Sequence, residues 1–93
     1  MEVFYCKGKV GIYGYKNRIE IVIGDVNDEL EQNPYAIPSE VFDMETSELV
    51  KELGLINPMI NINLEREGIN EEEFKTILEK AKEEKEYSRL DIL

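Results

Sequence analysis

The chain of 93 residues has no histidine and a single cysteine. Without histidine there is no imidazole base, no Ser/His or Cys/His nucleophile and no histidine metal ligand. With one thiol, Cys6, no intramolecular disulfide can form, and a zinc site needs more Cys or His ligands than the chain has. The protein must be held by packing, as in a reducing compartment. Cys6 falls on the apolar side of an alternating stretch, where a thiol serves as a small hydrophobe. Long apolar runs are also missing. Ile21-Val22-Ile23 is the longest aliphatic run, far short of a membrane span. The opening Met-Glu-Val-Phe lacks the basic and apolar regions of a secretory signal. The expected location is the cytoplasm.

Basic residues are scarce: 11 Lys and Arg stand against 21 Asp and Glu, a net charge of −10. The imbalance is local. Residues 1–24 are net positive, with Lys7, Lys9, Lys16 and Arg18 against Glu2 and Glu20. Residues 25–54 set nine acids against Lys51 alone, and residues 55–93 carry ten acids and six bases. Such a field repels nucleic-acid backbones and membrane surfaces and attracts basic partners. Solubility alone is the plainer use of it.

The apolar content, 42%, is that of a globular domain, and the length suits one domain spanning residues 1–93. Residues 2–24 read as a β-hairpin. "RIEIVIG" alternates, and a turn at Lys16-Asn17 opposes Ile12 to Ile21, Val10 to Ile23 and Gly14 to Ile19. Gly8 and Gly11 point to bulges, or to a split at Lys7-Gly8 into two shorter strands. Residues 25–43 form an acidic loop, in which Tyr35, Ile37, Val41 and Phe42 pin the chain to the body. A helix is expected over 44–54, closed by Gly54 with Leu55 folded back on Val50. A strand is expected over 58–65, with Ile60, Ile62 and Leu64 inward. In "INEEEF", Asn70 caps a helix over 71–87, with Glu73 completing the box and Ile69 and Phe74 the staple. A short strand is expected over 89–93. The expected fold is α+β: one four-stranded sheet in ββαβαβ order, mostly antiparallel or mixed, with two helices on one face.

The known chemical motifs fail on inspection. In "DVNDEL", Asp25 and Asn27 match the start of an EF-hand loop, but Leu30 replaces its glycine and Ala36 its final acid. The spacing Gly8-x-x-Gly11-x-x-Gly14 is not a phosphate loop, and no helix follows it. No enzyme activity, metal or cofactor is expected.

Two surfaces remain. Asp25, Asp28, Glu29 and Glu31 crowd the loop, and Glu45, Glu48 and Glu52 recur at helical spacing. Together they would make one negative face that docks on a basic surface of another protein, as an inhibitor, immunity-type or regulatory protein does. A nucleic-acid-binding protein is a natural target, with carboxylates standing in for phosphates. The second surface is Tyr5, Lys7, Lys9, Tyr13 and Tyr15, which share one side of the hairpin if it alternates without a break. That side suits contact with a second copy of the chain in a homodimer or cover by the chain's own "NPYAIP" loop, ahead of stacking on single-stranded nucleic acid; a structural subunit of a larger assembly is the remaining alternative for the chain.

Overall fold

Gly8 takes a left-handed φ of +57°, and the amino-terminal stretch turns back on itself there. The computed structural model describes residues 2–24 and 35–92, with side chains for 3–24 and 35–86. In place of one long strand there are two, β1 (Glu2–Lys7) and β2 (Val10–Gly14), followed by β3 (Arg18–Ile23) and β4 (Tyr35–Pro38). Positive φ at the first turn residue is what a two-residue type II′ connection requires, and glycine supplies it without steric cost. The four strands pair antiparallel in the order β1-β2-β3-β4. Between β2 and β3 the register is Val10 to Ile23, Ile12 to Ile21 and Gly14 to Ile19, as the alternation implies. Between β1 and β2 it shifts at Phe4. Phe4 is bulged and buried against Gly14, where a Cβ would overlap its ring.

Four helices follow β4: α1 (Ser39–Phe42), α2 (Thr46–Ile56), α3 (Met59–Arg66) and α4 (Glu71–Ile92). The class is α+β, but the ββαβαβ order and the pair of helices are corrected: among the described residues every strand precedes every helix. The expected loop 25–43 holds β4 and α1 within its second half, and Ile37 and Phe42 are buried as expected. The expected strand 58–65 is α3. Its alternation misleads because Ile60 and Leu64, four residues apart, already share one helical side, and both are buried. Pro58 enters with helical angles, and Asn57 Oδ1 accepts the Met59 amide at 3.1 Å. The expected strand 89–93 is also overturned: α4 runs to Ile92, with no Gly or Pro after Glu71 to stop it.

The start of α4 is as expected. Asn70 Oδ1 accepts the Glu73 amide at 2.8 Å, Ile69 is half-buried and Phe74 buried. The left-handed closure expected at Gly54 lies at Gly68 instead, φ +72°. There the Ile69 amide bonds Leu64 O at 2.9 Å and the Gly68 amide bonds Glu65 O at 3.1 Å, a Schellman pair. Gly54 is interior to α2, which continues two residues further. The core joins Val10, Ile12, Ile19, Ile21 and Ile37 of the sheet to Phe42, Leu49, Leu53, Ile60, Leu64, Phe74, Ile77, Leu78 and Ala81 of the helices.

Candidate docking surface

Spacings of three and four residues place Glu45, Glu48 and Glu52 along one side of α2. Glu45 and Glu48 are exposed and Glu52 is half-buried. Glu45 has an internal use: its carboxylate accepts the Ser47 amide at 3.2 Å and caps α2, where the helix dipole favours negative charge. Two lysines of α4 approach the same end. Lys82 donates to Met44 O and, at 3.3 Å, to Thr46 Oγ1, while Lys85 pairs with Asp43 at 2.5 Å. Burial holds the Lys82 ammonium below its ordinary pKa, partly offset by Glu45, Asp43 and Glu79, and Lys85 adds to the lowering. The start of α2 is therefore partly neutralised. Further along, among the described residues, neither Glu48 nor Glu52 has an ion-pair partner.

Asp25, Asp28, Glu29 and Glu31 lie outside the described residues. The ends that bracket them are placed: the Gly24 amide bonds Lys9 O at 2.8 Å, and Tyr35 pairs with Ile21. Those anchors sit at one end of the sheet. At the other end the Ser39 amide bonds Asn17 O at 3.4 Å, and α1 and α2 follow from there. The structure brings Glu45, Glu48 and Glu52 together along α2.

The acidic side of α2 runs into a feature that the strand reading hid. Leu55 is 77% exposed, and Ile56, Met59 and Ile62 are each about half exposed. They fall within eight residues around the α2–α3 corner. Leu55 does not fold back on Val50, because the helix continues past Gly54 and carries Leu55 and Ile56 outward. Ile62 points away from the core because Ile60 and Leu64 take the inner side of α3. The Asn57-Pro58 pair, an amide cap before a proline at the first helical position, was the available signal.

The tyrosine-lysine side is divided. Tyr5 lies opposite Ile12, on the helix-covered face, and packs against the core. Lys7 lies opposite Val10 on that same face. Tyr13 lies opposite Val3 on the other face, with its ring across Gly11, where a Cβ would meet it at 2.7 Å. Gly11 in turn opposes Val22, which is buried. Tyr15 sits under the Arg18 guanidinium, 4.2 Å from ring centre, and Arg18 pairs with Glu20 at 3.1 Å. Lys9 pairs with Glu67 at 3.0 Å. The shared face is corrected by the Gly8-Lys9 turn, which sets odd-numbered Tyr5 and Lys7 of β1 opposite even-numbered Ile12 and Val10 of β2 and also leaves Cys6, opposite Gly11, exposed and not on the apolar side. Burial, with Cys6 and Tyr15 nearby, pushes the Tyr13 phenol above its ordinary pKa.

A cleft of about 710 Å³ lies between that turn and the start of α4, lined by Tyr5, Lys7, Lys9, Glu67, Glu73 and Ile77 among others. It does not suit an anion. The Glu73 amide is already taken by Asn70, and Glu67, Glu72 and Glu73 oppose negative charge. Among the described residues no three His, Cys, Asp or Glu side chains gather to hold a metal ion, and no helix is long and apolar enough to cross a membrane. Comparison with protein-family models, curated proteins and solved structures finds no match.

Proposed function

We propose that the chain is a protein-binding module that docks through the outer side of α2 and the α2–α3 corner on a basic surface of a partner. It acts there as a stoichiometric inhibitor, immunity-type or regulatory protein. One observation supports this reading above the others: the carboxylates of Glu48 and Glu52, without an ion-pair partner among the described residues, lead directly to four exposed, large apolar side chains. An apolar centre with a charged rim is the anatomy of a protein interface. The net charge of −10, to which Asp25, Asp28, Glu29 and Glu31 contribute, would steer a basic partner toward it. A nucleic-acid-binding protein offers such a basic surface, which the carboxylates would occupy in place of phosphates.

The test compares the wild-type chain with the double variant Glu48→Lys, Glu52→Lys. Partners are captured from lysate, identified, purified and measured again at low and high salt. Charge reversal is expected to slow association about tenfold or more, and salt is expected to do the same to the wild type. A partner held equally by both chains at both salt concentrations would overturn the proposal.

A further inference from the structure

Between α2, α3 and the start of α4 lie two hollows of about 370 and 460 Å³. The two adjoin along Val50, Asn61 and Glu71, which line both, and together they make a trough. Its floor is apolar: Leu64 and Phe74 are buried beneath it, and Val50 and Ile69 are half-buried. Leu55 stands on one wall with its side chain in solvent. Gly54 keeps that wall low, since a Cβ there would meet Asn61 Nδ2 at 3.0 Å. The rim carries the exposed carboxylates Glu65 and Glu71, with Lys51 the sole base among the lining residues.

We infer that this trough seats one face of a basic amphipathic helix belonging to the partner. The inference rests on the docking function proposed above and names the element that docks. Apolar side chains three or four residues apart would enter against Val50, Leu55 and Ile69, the usual way a helix fills a groove. Lysines or arginines flanking them would meet Glu65 and Glu71. Charge decides among occupants. Two copies of a chain carrying −10 repel one another, which disfavours self-pairing here. A nucleic acid would set its phosphates against the rim carboxylates.

The experiment titrates the isotope-labelled chain, followed by amide NMR shifts, with a short synthetic Leu/Lys peptide patterned as an amphipathic helix. A scrambled isomer of the same composition is the control. Shifts are expected at Val50, Leu55, Asn61 and Glu71, with the isomer binding about tenfold more weakly, a 1.4 kcal/mol difference. Leu55→Asp, at a solvent-exposed position, is expected to keep the wild-type Tm and to abolish the preference for the patterned peptide. Equal binding of both peptides with shifts confined to Glu45, Glu48 and Glu52 would overturn the trough and leave charge-led docking standing. Shifts at the trough on concentrating the chain alone would make the occupant a second copy and also overturn it. Binding by neither peptide at low salt would overturn both proposals.

Discussion

Two side chains give the molecule opposing responses to alkali. The Tyr13 phenol is raised above its ordinary 10.0, first by burial and then by Cys6 and Tyr15. The fold prefers it neutral, so its contribution to stability is complete below pH 10.0 and is lost as pH rises through the folded value. Lys82 is lowered from its ordinary 10.5, first by burial. The fold prefers it uncharged, so its contribution is complete above 10.5 and is lost as pH falls through the folded value. Tyr13→Phe should therefore flatten the loss of stability above pH 10.0 seen in denaturant unfolding. An alkaline loss equal to the wild type's would assign it to another group. Gly14 gives a packing prediction. A methyl there would strike the Phe4 ring, so Gly14→Ala should cost about 1–3 kcal/mol in denaturant unfolding. The paired residues of β2 and β3 were legible in the sequence because both strands alternate cleanly. The Phe4 bulge was not, because nothing in the order Val-Phe-Tyr shows which residue the partner strand skips.

At the scale of elements, the turn chemistry and the hydrophobic period disagreed, and the turn chemistry was the better guide. Ile60, Ile62 and Leu64 satisfy a strand, yet Ile60 and Leu64 satisfy a helix equally well. Asn57-Pro58 before them and Gly68 after them bound a helix at both ends. Asn57→Ala should cost about 1 kcal/mol through the lost cap. Gly68→Ala should cost about 1–2 kcal/mol through left-handed strain, whereas the same change at Gly54 meets no positive φ, gains helix propensity and presses only on the exposed, movable Asn61 amide at 3.0 Å, so it should cost less. Circular dichroism at a series of denaturant concentrations checks all three. Equal costs at Gly54 and Gly68 would contradict the placement of the Schellman closure. The helix from Glu71 was legible because Asn70, Glu73, Ile69 and Phe74 all mark the same start. Its continuation past Tyr87 was obscured by a two-residue alternation too short to carry weight.

For the whole molecule, charge was legible and its arrangement was not. The excess of acids over residues 25–54 follows from counting. That Glu45 caps its own helix and lies near Lys82, while Glu48 and Glu52 have no ion-pair partner among the described residues, depends on how α4 crosses the start of α2. The apolar corner depends on α3 being a helix, so a strand reading buried Ile62 and hid the surface. The split of the tyrosines, at the other end of the chain, comes from one turn, at Gly8-Lys9. What results is a body with its sheet packed on one side and, among the described residues, four of its five exposed large apolar side chains at the α2–α3 corner, the fifth being Val3 of β1.

The most direct measurement is amide hydrogen exchange of the chain alone and with its purified partner. Protection should rise across residues 48–62 and stay unchanged in β1, β2, β3 and β4. Protection confined to the strands, with residues 48–62 exchanging as in the free chain, would contradict docking at this corner.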